Sequence, residues 1–190
     1  MILYLSIILI VATIIAVLNI LLTTYLWWVI VLLVISATIL QFVFDGMFAL
    51  IVNRLPDKWF GMNKKCFQVS KSEQHFYEKL GIRKWKDRVW ELGGLGGFRK
   101  NKLLKPNSPE YIEKFIVESN KGIVTHIVGC FAGFLAILIL PFKFALSISL
   151  PVALTNLFLN VLPTMILRYN VPKLTVLHKR LVRNQQTNNE

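Results

Sequence analysis

From Met1 to Asn53 the chain carries a single charged side chain, Asp45, and nothing else in the sequence constrains the fold as strongly. A membrane-spanning helix needs roughly 20 mostly apolar residues, so the stretch is long enough for two. Thr23-Thr24-Tyr25, followed by Trp27 and Trp28, marks the turn between them, because tryptophan and tyrosine favour the headgroup layer. A cleaved signal peptide is not expected: there is no basic n-region, and the apolar run is far too long for an h-region. The second span, about Leu26 to Asn53, exceeds what the hydrocarbon requires and is expected to tilt or to project into the cytosol.

A second apolar block runs from about Ile123 to Leu167 and is broken near its middle by Pro141-Phe142-Lys143. The predicted fold class is therefore all-α, a polytopic membrane protein with four transmembrane helices in two hairpins, residues 1–53 and 123–168. An amphipathic cytoplasmic or interfacial loop, 54–122, joins them, and a basic tail, 169–190, follows. With 55% hydrophobic residues concentrated in the two blocks, a water-soluble core is excluded as the main architecture. Residues 54 to 124 hold 16 of the 22 Lys and Arg and 8 of the 10 Asp and Glu, and the tail after Arg168 adds four more basic residues. Positive residues stay on the cytoplasmic side, so the loop, the tail and both termini are expected there. The net charge of +12 reads as anchoring to anionic membrane lipids rather than as nucleic-acid binding. Two cysteines, Cys66 and Cys130, form neither a disulfide framework nor a metal-ligand set, and Cys130 reads as a small packing residue.

The loop carries helix punctuation. Ser72 is expected to cap a short helix through Phe76 and Leu80, with Gly81 as its stop. "IRKWKDRVW", residues 82 to 90, interleaves basic residues with Trp85 and Trp90, the composition of a segment lying in the headgroup layer or of a solvated basic turn. "ELGGLGGFRKNK", residues 91 to 102, is either a flexible glycine-rich lid or a backbone nest for phosphate. Ser108-Pro109-Glu110 opens a further helix with a cap, a first-position proline and an acid in the first turn. Tyr111, Ile112, Phe115 and Ile116 form its apolar face, and the helix is expected to bend or to continue into the third span at residues 118 to 128, with Gly122 as the natural joint.

Polar residues inside the spans are expensive, and by default they mark a site or a buried partner. Asp45 lies eight residues before Asn53 and Asn160 eight before Arg168, so each sits about 12 Å inside its helix's cytoplasmic end. His126 begins the third span on the same side. The three are expected to meet at matching depth.

"RLPDKWF" (54 to 60), "IRKWKD" (82 to 87), "EYIEKFIVESNKGIVTH" (110 to 126) and "NVLPTMILRYNVPKL" (160 to 174) together resemble, in this order, the bacterial glycosyl-4,4'-diaponeurosporenoate acyltransferases. These are small membrane enzymes of the last, fatty-acylating step of staphyloxanthin-type carotenoid synthesis. Arg-Tyr-Asn-x-Pro after an apolar helix is the strongest member of the set. The chain departs from the family pattern at Val171 and Lys173, where arginines are usual, and at Leu167, where glutamine is usual. It also has Ile123 in place of a second glutamate, and the proline after Asn160 is displaced by one residue.

The resemblance implies a transferase of the bacterial cell membrane with no bound cofactor. Acyl-CoA or acyl carrier protein would be the donor, and a glycolipid or glycosylated carotenoid the acceptor. Such a reaction needs a base for the attacking hydroxyl, donors for the developing oxyanion and a groove for the acyl chain. His126 is the expected base, with Glu118 its orienting partner if the chain bends near Gly122, and Asp45 the competing partner. Asn53, Arg54, Asp57, Trp85, Lys86, Asn160, Arg168, Tyr169 and Asn170 are expected to hold the substrates. Pro172 is expected to turn the tail away, and Asp57 to pair with Arg54 or Arg168. Four helices enclose little volume, so the acyl chain would lie in an external groove or at the seam of a homo-oligomer. Three other readings stand beside this one: a transferase for another lipid, an inactive interaction protein, and a metal-dependent hydrolase built on His75, Glu78, Glu118 and His126.

Overall fold

The computed structural model describes residues 2–89 and 103–188; the glycine-rich segment 91–102 and Trp90 lie outside the described residues. The described residues are helical, with no strand. The helices are α1 (Ile2–Leu22), α2 (Trp27–Arg54), α3 (Lys71–Lys79), α4 (Ile82–Trp85), α5 (Pro109–Ala132), α6 (Ala136–Ile139) and α7 (Leu150–Asn188). Four segments are long and apolar enough to cross a membrane: Tyr4–Leu22, Trp27–Arg54, Pro109–Ile139 and Phe142–Thr187. The breaks fall where the sequence puts them, at 23–26 and around Pro141.

The chain groups into two compact units, one of residues 1–52 and 125–162, the other of residues 53–124 and 163–190. In the first, Ile15 of α1, Ile30, Val34 and Ala37 of α2, and Phe144, Ile148 and Val152 at the start of the last span form one buried apolar cluster. Long apolar side chains such as Leu9, Leu21, Leu138 and Leu146 point outward, as they must where lipid replaces water. Asn19 ties α1 to the last span by donating to the Ser147 carbonyl at 2.9 Å. The two apolar turns meet: the Tyr25 and Phe144 rings pack edge to face at 5.0 Å, and Lys143 Nζ lies 4.4 Å above the Tyr25 ring.

In the second unit, α3 is capped by Ser70, whose Oγ accepts from the Glu73 N–H at 3.1 Å. The cap is thus two residues earlier than Ser72. Ser70-Lys71-Ser72-Glu73 has the Ser-x-x-Glu spacing of a capping box, whereas three residues after Ser72 stands His75. Gly81 ends the helix at φ +65°, a left-handed conformation that glycine adopts without a Cβ penalty. Ser108 opens α5 as expected, accepting from the Tyr111 N–H at 3.2 Å, and Ile112, Phe115 and Ile116 are buried.

Of the two joints, the first continues, one of the two forms expected of it, and the second is corrected. α5 runs through Gly122 without a break. α7 continues through both Pro163 and Pro172 to Asn188, so Pro172 does not turn the tail away. Pro172 lacks the N–H that the Arg168 carbonyl would accept from. Burial of Ile166, Leu167, Tyr169 and Val171 on that turn offsets the loss.

Candidate active site

In the unit of residues 1–52 and 125–162, α2, α5 and α7 bring polar groups together inside otherwise apolar helices. Asp45 comes from α2, His126 and the Gly129 carbonyl from α5, Asn156 and Asn160 from α7. Asn160 Nδ2 is surrounded by acceptors: Asp45 Oδ2 at 3.2 Å, the Asn156 carbonyl at 3.1 Å and Asn156 Oδ1 at 3.2 Å. That leaves Asn160 Oδ1 facing His126 Nδ1 at 2.9 Å. An amide oxygen only accepts, so Nδ1 carries the proton and the lone pair of the neutral ring is on Nε2. Asn156 Nδ2 donates to Asp45 Oδ1 at 3.4 Å and to the Gly129 carbonyl at 3.1 Å. Both carboxylate oxygens of Asp45 therefore receive an asparagine N–H.

The close approach depends on glycine. A Cβ on Gly129 would lie 2.7 Å from Asn160 Oδ1, and one on Gly133 would lie 3.1 Å from Asn156 Nδ2 and 3.2 Å from Gln41 Nε2. The structure brings Asp45, Asn160 and His126 into one hydrogen-bonded group. Asn156, Gln41, Gly129 and Gly133 were missed. Their signal is a repeat of four: Gln41 and Asp45, Asn156 and Asn160, Gly129 and Gly133 are each i, i+4 pairs on one helix face.

The unit of residues 53–124 and 163–190 holds the other expected site residues, most of them already paired. Arg168 grips Glu73 with two hydrogen bonds, Nε to Oε1 at 2.5 Å and Nη2 to Oε2 at 2.8 Å, and reaches the Cys66 carbonyl at 3.2 Å. These bonds hold the Glu73 carboxyl below the usual carboxylate range. Burial, and then the neighbouring Glu73 carboxylate, push the Tyr77 hydroxyl up to about 12. Tyr169 is 1% exposed. Its hydroxyl accepts from Arg83 Nε at 2.8 Å and donates to Glu78 Oε1 at 3.4 Å, and Lys173 Nζ sits 3.6 Å above its ring. Lys86 Nζ is 6.0 Å from the same ring, and the Trp85 indole donates to the Leu80 carbonyl. Asn53 and Arg54 are exposed at the end of α2, and Asn170 is half-buried.

Two pairings differ from expectation. Asp57 bonds Lys121 Nζ at 2.5 Å, not Arg54 or Arg168. Lys121 is buried at the level of Asn120, whose Nδ2 donates to the Phe60 carbonyl, so the segment after α2 is fastened to α5. Glu118 faces Lys121 at 3.7 Å. Because α5 is unbroken, eight residues separate Glu118 from His126 by about 12 Å of rise, too far for a direct hydrogen bond. Asn160, held by Asp45, occupies the partner position proposed for Glu118. Among the described residues no three His, Cys, Asp or Glu side chains are grouped to hold a metal ion, and Glu78 is paired with Arg83.

A family model of glycosyl-4,4'-diaponeurosporenoate acyltransferases matches residues 56–180, which include His126, Asn156 and Asn160 but not Asp45. Comparison with curated proteins and with solved structures gives no match.

Proposed function

The chain belongs to the glycosyl-4,4'-diaponeurosporenoate acyltransferase family, and from that premise we propose that it moves a fatty acyl group from an activated donor to a hydroxyl of a glycosylated lipid, a glycosylated carotenoid by family. The observation that carries the mechanism is the chain of contacts from Asp45 through Asn160 to His126 Nδ1. His126 Nε2 takes the proton of the acceptor hydroxyl as its oxygen attacks the acyl carbonyl. The new C–O bond forms, the bond to the donor's thiol sulfur breaks, and the imidazolium returns the proton to the leaving thiolate. Acyl-CoA or acyl carrier protein supplies that thioester. Asn160 fixes the ring's tautomer and direction, and Asp45 with Asn156 holds Asn160 in register.

The four spans are read as two hairpins with the loop, the tail and both termini in the cytoplasm. The distribution of Lys and Arg supports this orientation, and the contact of Tyr25 with Phe144 supports turns that share the opposite face. Exposed Asn53, Arg54 and Lys58, and half-buried Trp85 and Lys86, are suited to polar headgroups. Arg168 and Tyr169 serve by holding the loop helices, since their hydrogen-bonding groups are engaged with Glu73, Arg83 and Glu78. Ile123, which replaces a family glutamate, is 1% exposed in the core, and the base assigned to His126 does not depend on it.

Asn160 is the residue to test. Asn160→Ala in purified protein is expected to lower kcat by about 100-fold while changing KM little, the scale of a mispositioned general base. An Asn160→Ala variant with wild-type kcat and pH profile would remove the proposed relay.

A further inference from the structure

No Asp, Glu, Lys or Arg stands from 122 to 142 or from 144 to 167, so Lys121 and Arg168 mark where the apolar runs of α5 and α7 end at the membrane surface. The chain between α2 and α5 is tied to both marks. Lys121 bonds Asp57, and its neighbour Asn120 donates to the Phe60 carbonyl at 2.7 Å. Arg168 holds Glu73 and reaches the Cys66 carbonyl, while the next residue, Tyr169, meets Glu78. Glu73 and Glu78 lie near the two ends of α3, so α3 sits across α7 at the row of Arg168 and Tyr169.

At this height Trp59, Phe76 and Leu80 are 53%, 55% and 48% exposed. Phe76 and Leu80 are four apart and so neighbours on one edge of α3. Trp85, in the tryptophan-rich segment, is instead half-buried, with its indole N–H spent on the Leu80 carbonyl. Bulk water would leave the three outward side chains unburied, whereas the boundary between headgroups and acyl chains takes them up. Lipid is the occupant because it surrounds both spans at this height whatever else is bound. We infer that Trp59 and the Phe76/Leu80 edge of α3 form a lipid-inserting surface in the leaflet where Lys121 and Arg168 lie. A helix as short as α3 would not bind a membrane alone, and its bonds to α7 keep it there. Lys58 and Lys79, exposed and next in sequence to Trp59 and Leu80, can extend their ammonium groups to the phosphates. The inference stands or falls independently of the acyl-transfer reading.

The test uses the full chain in phosphatidylcholine nanodiscs, with Cys66→Ser and Cys130→Ala removing the native thiols. A nitroxide is attached at Phe76→Cys, Leu80→Cys or Val176→Cys in turn. Electron paramagnetic resonance then compares its collisions with oxygen, which partitions into lipid, and with a water-soluble nickel chelate. Val176 is the control: it is apolar and 68% exposed, but it lies eight residues past Arg168, about 12 Å further along α7. The labels at Phe76 and Leu80 are expected roughly 5 Å or more below the phosphates, where oxygen collisions dominate. The label at Val176 is expected to collide mainly with the chelate. Chelate-dominated collisions at either α3 position overturn the inference and give that edge to water or to another protein. Equal protection at Val176 overturns it as well, since height would then not decide what an exposed apolar side chain meets. Trp59 is read without a label, from the quenching of tryptophan fluorescence by lipids brominated near the top of their acyl chains. Trp59→Phe is expected to lower the quenched amplitude; an unchanged amplitude places Trp59 outside the lipid and overturns the surface as drawn.

Discussion

Asn160 is neutral, yet it determines how the two ionisable residues beside it can act. Its N–H faces a carboxylate and a backbone carbonyl and its oxygen faces an imidazole, so the amide cannot be reversed without placing an oxygen against Asp45 and the Asn156 carbonyl. Gly129 protects that arrangement. Gly129→Ala would put a methyl group 2.7 Å from Asn160 Oδ1, an overpacking of the kind that costs about 1–3 kcal/mol. The expected outcome is at least about a tenfold loss of transfer rate in protein that still accumulates in the membrane; wild-type activity would show that the contact is not needed. Asp45, His126 and Asn160 were legible in the sequence because a polar residue in an apolar helix stands out, and equal distances from two helix ends placed two of them together. Asn156 and the glycines were not. A small or neutral residue is ordinary in a membrane helix, and only the contact across helices gives it a role.

At the scale of elements, α3 shows how a short loop helix is held. Ser70 caps it, Gly81 ends it, and Glu73 and Glu78 fasten it to Arg168 and to Tyr169 with Arg83. The Glu73 bridge makes a pH-dependent contribution whose sign follows from linkage. Its carboxyl is held below the ordinary value of 4.5, so the bridge stabilises the fold above that pH and is lost as pH falls through the lowered folded-state value. Tyr77, raised from 10.0 to about 12, acts at the other end: its contribution is complete below pH 10 and is lost as pH rises toward 12. Glu73→Gln is expected to melt below wild type at neutral pH, and the gap should close as pH drops below 4.5. Thermal unfolding in detergent across that range measures it, and a gap independent of pH would contradict the assignment. The sequence signalled the ends of α1, α2 and α5 through aromatic turns, proline and a capping serine. It left open whether the helix bends or continues at Gly122, and it misled at Pro172, where tertiary burial overrides the local preference of proline for a break.

At the scale of the whole molecule, the proposed topology has the loop and tail on one side of the membrane. Cys66 is exposed in the loop and Cys130 is buried in α5, so the native thiols report the topology. A membrane-impermeant maleimide should label one thiol per chain in inside-out vesicles and none in right-side-out vesicles, and labelling in the latter would reverse the orientation. The chemistry itself is tested most directly by mass spectrometry of lipid extracts from cells supplied with a glycosylated carotenoid precursor, expressing either the wild type or His126→Ala. The account predicts a product heavier than the precursor by one fatty acyl unit with the wild type and none with the variant, both proteins being present in the membrane. Equal amounts of that product from both would contradict His126 as the base, and its absence from both would contradict acyl transfer to this acceptor.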